Sequence, residues 1–174
     1  MTDAASIVRF YRGSGTDHRG RTLDAILAWD DDALEAVHDY IQWLFPLDEP
    51  SGASAHAPVL TKADIDAFRH DEAMRDRLRR SLVRMLAFYG LELDEASSTA
   101  TIVRAAAFRS RASHWLQPYN HNFLRLTRIM KSLVLAGLPG HAQALQKALV
   151  EIAHDAPPDV VGPTTLRYWR EAVR

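Results

Sequence analysis

The sequence contains no cysteine. That excludes disulfides, thiolate metal sites and a cysteine nucleophile, and it leaves the redox compartment unmarked. A basic surplus is missing too: 21 Lys and Arg stand against 22 Asp and Glu, a formal net charge of -1. A chain so balanced has little with which to displace counterions, so nucleic acid is not an expected partner. No apolar run approaches the roughly 20 residues needed to cross a bilayer. The longest, "SLVLAGLPG", is broken by Gly137, Pro139 and Gly140. The start, "MTDAASIVRFYRGSG", lacks the charged and then apolar regions of a secretory signal. The resulting expectation is a soluble, cytoplasmic protein with no transmembrane segment. Also missing are a zinc-binding H-E-x-x-H, a nucleophile elbow G-x-S-x-G, and a strand-led phosphate loop, since "GSGTDHRG" has no lysine-serine ending.

What is present is helical periodicity. With 174 residues, 47% of them hydrophobic, the chain suits one domain over 1–174 with a real core. No period-2 run or Asn-Gly turn stands out, so the expected class is all-α, a single compact domain of about eight helices. A first helix is expected over residues 4–12, stopped by Gly13 and Gly15. A short one follows at 23–29, and a strong third covers "DDDALEAVHDYIQWLF", residues 30–45, opened by Asp30 to Asp32 and stopped at Pro46. Residues 47–60, rich in Pro, Gly, Ser and Ala, read as an internal flexible loop. Thr61 and Asp64 form a capping box for the next helix. Gly90 ends the long helix after it, residues 92–100 are a loop, and "TIVRAAAFRSRASHWL" reads as a helix. The segment 119–137 is the most apolar helix, with Asn120 as its cap, and two amphipathic helices follow at 140–154 and 164–173.

Two polar stripes interrupt this apolar pattern. At about 100° per residue, the third helix puts Leu34, Val37, Ile41, Leu44 and Phe45 on one face, with Tyr40 and Trp43 on its flank. Glu35, His38, Asp39 and Gln42 form a stripe on the other side. On the 119–137 helix, His121, Arg125, Arg128 and Ser132 stack at spacings of four, three and four. Buried arginine needs acids or solvent. Glu35 and Asp39 are candidate acids, which gives a structural ion-pair network, or the arginine stems lie over apolar surface with their heads wet. The sharper reading is a pocket between the two helices. There the guanidinium forks of Arg125 and Arg128 hold a carboxylate or phosphate, with Trp43 as an apolar wall.

Other chemistry is weaker. His38, Asp39 and His121 have the residue types of a two-histidine, one-carboxylate metal site, but no diagnostic spacing; His38 and Asp39 alone give an acid-base alternative. Arg75, Arg77, Arg79, Arg80 and Arg84, interleaved with apolar residues, form either a solvated face or a surface for an anionic partner. No cofactor motif is found, and the oligomeric state is not encoded in any pattern.

Three blocks carry a resemblance: "HDYIQWLFP" at 38–46, "MLAFYG" at 85–90 and "HNFLRLTRIMKSL" at 121–133, with "FYRG" at 10–13 and "LRYW" at 166–169 near the ends. In this order they resemble the conserved N-terminal region of the opioid growth factor receptor family, across nearly the whole chain. The resemblance implies a receptor for an enkephalin peptide, without enzymatic activity. The animal proteins so resembled are associated with nuclear and perinuclear membranes, restrain growth, and carry long repeat-bearing C-terminal segments. The family motifs fall on the polar stripes, so the resemblance implies His38, Asp39, Gln42, Trp43, His121, Asn122, Arg125 and Arg128 as ligand-binding residues, and Glu35 joins them from the first stripe. The expected partner is a small anionic ligand or a peptide.

Overall fold

The computed structural model describes residues 6–174; the expected helix start at Ala4 and Ala5 lies outside them. The described chain forms two compact units, divided between Ser81 and Leu82. In the first, α1 (Ile7–Arg12), α2 (Leu23–Leu27), α3 (Asp31–Ala36), α4 (Ile41–Leu44) and α5 (Lys62–His70) precede the first half of α6 (Glu72–Tyr89). Their starts follow from side-chain capping of amides that lack intrahelical partners. The Ser6 hydroxyl accepts from the Arg9 amide, Thr22 from Ala25, and Asp30 from Ala33 at 2.8 Å. Thr61 and Asp64 form the expected capping box, and the Asp71 carboxylate accepts from the Met74 amide in the first turn of α6. Gly13, with φ 79°, closes α1. The first core gathers Phe10, Tyr11, Ile26, Leu34, Tyr40, Phe45 and Phe68, each fully buried. Tyr11 meets Phe68 edge to face at 4.9 Å, and Phe10 meets Trp43 likewise at 5.4 Å. Between α4 and α5, Leu47 bridges to Val59, and the Leu60 amide donates to the Leu47 carbonyl at 2.8 Å, so the ends of the 47–60 segment meet.

The expected continuous third helix is corrected here. It breaks into α3 and α4, with residues 37–40 between them outside any helix. Val37 is extended (φ -92°, ψ 133°). The Tyr40 hydroxyl donates to the Leu34 carbonyl at 2.8 Å, an acceptor that a continued helix gives to the amide four residues on. A tertiary contact thus overrides helix propensity.

In the second unit, the rest of α6 is followed by β1 (Leu91–Asp94), β2 (Thr101–Arg104), α7 (Phe108–Trp115), α8 (Asn122–Leu135), α9 (Pro139–Asp155) and α10 (Pro163–Glu171). Helix α8 packs against α9 and α10, and β2 lies on α9. The two strands pair antiparallel, with Leu91 opposite Arg104 and Asp94 opposite Thr101. The all-α expectation is therefore corrected to a mostly helical fold of ten helices with one two-stranded sheet among the described residues. Leu91-Glu92-Leu93-Asp94 does alternate, and Thr101-Ile102-Val103 is β-branched, as strands favour. Gly90 makes the turn from α6 into β1: its φ is 78°, and a Cβ there would sit 2.6 Å from the Phe108 Cα.

Candidate functional site

The predicted site residues fall into two groups, one in each unit, and each is built by its own unit. In the first, the organiser is Asp17, which is 2% exposed. The segment that holds it, "DHRGR", closes a tight turn, with the Asp17 amide donating to the Arg21 carbonyl and the Gly20 amide to the Asp17 carbonyl. One Asp17 carboxylate oxygen accepts from the Arg19 and Arg21 amides, both at 2.9 Å, and the other accepts from Arg21 Nε at 2.6 Å. The turn thereby aims three side chains at Asp39. Arg21 donates to one Asp39 oxygen at 2.9 Å; Arg19 reaches the other at 2.5 Å, and His18 Nε2 lies 3.5 Å from that same oxygen. Burial by itself raises the Asp39 carboxyl, but the hydrogen bond and charge of Arg21, then Arg19 and His18, outweigh it and hold the carboxyl below the usual aspartate range. The Arg21 guanidinium also lies 5.3 Å from the Trp29 ring centroid.

Trp43, 2% exposed, completes this cluster. Its indole Nε1 donates to His18 Nδ1 at 3.1 Å, and the imidazole stacks on His56 at 5.1 Å. So Asp39 and Trp43 are brought together through His18, a residue that periodicity did not single out. The other members of the first stripe are dispersed by the helix break. Glu35 is half-buried on α3, and His38 is exposed beyond its end. Gln42 points inward at 3% exposure, and its Oε1 has no hydrogen-bond partner among the described residues. The arginines of α6 in this unit serve local structure. Arg75 donates to the Phe68 and Arg69 carbonyls, Arg77 to the Tyr11 carbonyl at 2.7 Å, Arg79 pairs with Asp76, and Arg80 pairs with Asp24.

In the second unit, the turn before α8 is set by Asn120, whose side-chain oxygen accepts from the backbone and side-chain nitrogens of Asn122 at 2.9 and 3.0 Å. The expected cap at Asn120 is corrected: the residue before α8 is His121, which makes no side-chain capping bond, and Asn120 instead closes a local turn one residue earlier. It turns Asn122 fully inward, where its Oδ1 accepts from the Tyr89 hydroxyl at 3.2 Å and lies 3.5 Å from the Arg125 guanidinium. Arg125 is only 6% exposed. Arg128 is half-buried, and His121 is exposed. Ser132, on the same ridge, is 1% exposed, and its hydroxyl has no partner among the described residues. The indoles around this ridge are satisfied by carbonyls: Trp115 donates to that of Tyr89 at 3.1 Å, and Trp169 to that of Phe123 at 3.3 Å. No group of three or more His, Asp or Glu among the described residues is placed to hold a metal ion.

The model of the opioid growth factor receptor conserved region matches residues 5–174. The chain belongs to the opioid growth factor receptor family. The mouse opioid growth factor receptor is 40% identical over 156 residues, 87% of this chain, and the human protein is 43% identical over 123 residues, 70% of it. The mouse opioid growth factor receptor-like protein 1 is 36% identical over 124 residues, or 71% of the chain. The family region spans only 24%, 18% and 26% of those three relatives' own lengths. No solved structure matches the chain. Among the described residues, no helix is long and apolar enough to cross a membrane.

The residues that sequence reading missed are Asp17, His18, Arg19, Arg21 and His56. A signal existed: "DHRGR" packs four ionisable side chains into five positions beside two glycines, and a loop that polar needs partners for what it buries.

Proposed function

We propose that this chain is a non-enzymatic ligand-binding module of the opioid growth factor receptor family, and that it takes an anionic group, such as the carboxylate of a peptide, on the polar ridge of α8. The carrying observation is a guanidinium buried to 6% exposure on a helix whose other buried side chains are apolar except for Asn122 and Ser132. The planar fork of a guanidinium matches a carboxylate with two parallel donors. Arg125 and Arg128 take the anion in this reading, with His121 and Asn122 at the ridge's start. Glu35, His38, Asp39, Gln42 and Trp43 lie in the first unit and take no part in this ridge. The curated relatives are named as receptors for an opioid growth factor, so a short opioid-type peptide is the first ligand to try. Acid-base chemistry at Asp39 is disfavoured by its two guanidinium partners, which keep the carboxylate charged and occupied.

A thermal-shift screen with acetate, phosphate and an enkephalin pentapeptide tests this. At about 100 times Kd a ligand stabilises the folded state by about 2.7 kcal/mol, roughly 5–10 °C for a chain of this size. The expected result is such a shift in the native protein and its loss in Arg125→Ala, with the helical circular dichroism retained. Arg125→Lys, which keeps the charge but not the fork, is expected to retain a reduced shift. Equal shifts in all three proteins would remove Arg125 from the site.

A further inference from the structure

We propose that His18 is a proton-operated latch on Trp43: neutral His18 ties the indole down, and protonation of His18 releases it. The proposal stands apart from the ligand reading above and rests on first-unit geometry. An indole N–H only donates. His18 Nδ1, 3.1 Å from Trp43 Nε1, therefore carries no hydrogen while this bond exists. The neutral ring's hydrogen is then on Nε2, the nitrogen that faces Asp39. An added proton has one place to go, the Nδ1 lone pair that accepts from Trp43. Protonation and the Trp43 hydrogen bond are mutually exclusive, because an imidazolium has two donors and no acceptor.

Charged groups face the ring from several sides. Asp39, held as a carboxylate by Arg19 and Arg21, attracts a proton to the ring. Arg19 and Arg21 themselves, and His56 stacked at 5.1 Å, repel one. Asp17, next in the chain, is occupied by Arg21 and two amides. Protonation of an imidazole is the trigger, and acidification supplies the proton. Trp43 feels the event most, because at 2% exposure its N–H has little access to replacement partners. The ring has little other freedom, since the Asp17-centred turn fixes the backbone on both sides of His18. Release therefore acts on the contact between the turn and α4, within the "HDYIQW" block.

The test is nuclear magnetic resonance of the 15N-labelled indoles in the full chain from pH 7.5 to 5.0, with the Trp43 signal assigned by its loss in Trp43→Phe. The expected result is a titrating Trp43 indole whose midpoint coincides with that of the His18 ring, while Trp115 and Trp169 stay still. In His18→Asn, whose amide oxygen offers an acceptor at every pH, the Trp43 signal is expected not to move. In His56→Ala the titration is expected to persist, because the Trp43 bond is made to His18 and not to His56. A static Trp43 signal in the native chain, or a Trp43 midpoint different from that of His18, overturns the latch. So does an unchanged titration in His18→Asn. The native-chain comparison decides the matter even where a variant fails to fold.

Discussion

Replacing Asp17 with alanine removes one carboxylate but strands the Arg19 amide, the Arg21 amide and Arg21 Nε. Buried donors left without acceptors each cost about 1–3 kcal/mol, and a charge that loses its partner costs more. Arg21 also keeps Asp39 as a partner and has some access to water, so the expected loss is on the order of 2–4 kcal/mol in urea unfolding. Asp17→Asn, which retains an acceptor for the two amides, is expected to lose less; equal losses for both would show that the turn does not depend on those bonds. At this scale the sequence was informative about type and silent about pairing. Arg125 and Asn122 were visible as polar residues in an apolar helix, and both prove to be buried. Asp39 was visible as an acid, but its partners lie 18 to 21 positions earlier in a loop whose composition suggested only solvent exposure.

At the level of elements, the capping residues were legible, because a cap is a local event between side chain and nearby amide. Thr61, Asp64, Asp30 and Gly13 all do what their types suggest. The helix break at 37–40 and the hairpin were not legible. The break depends on the Tyr40 hydroxyl reaching the Leu34 carbonyl, and the hairpin on two four-residue strands too short to show a period. The hairpin makes a sharp prediction. Gly90→Ala forces a positive φ on an alanine and drives its Cβ to within 2.6 Å of backbone at Phe108. The expected cost is about 2–4 kcal/mol, read as a lower unfolding midpoint. Gly52→Ala, where an added Cβ meets nothing within 4 Å, should cost under about 1 kcal/mol. Equal midpoints for the two variants would mean that the close approach at Gly90 is not enforced.

For the molecule as a whole, pH sets limits on both sides. Burial pushes the Tyr11 phenol well above its ordinary value, and a hydrogen bond with Ser81 offsets this only in part. A raised pKa in the folded state gives stability that is full below the unfolded value, about 10, and is lost as pH rises above it. Asp39 works in the opposite direction. Its lowered carboxyl gives stability that is full above the ordinary aspartate value of about 3.9 and is lost as pH falls below it. Urea unfolding from pH 8 to 10.5 should show a falling midpoint in the native chain and a flatter profile in Tyr11→Phe. That variant would also lose roughly 1 kcal/mol at neutral pH with its bond to the Leu44 carbonyl. An identical alkaline slope in both proteins would place the titrating group elsewhere. Family membership and a mostly helical chain are firm at this scale, and binding of an anionic group is what remains to be measured. The most direct measurement is calorimetric titration of the native protein with one enkephalin pentapeptide in two forms, one with a free C-terminal carboxylate and one amidated. A carboxylate held by Arg125 and Arg128 gives tighter binding of the acid form by about tenfold or more, in line with 1.5–3 kcal/mol for a charge-assisted hydrogen bond. Equal affinity for the two forms, or no heat from either, would contradict carboxylate recognition on the α8 ridge.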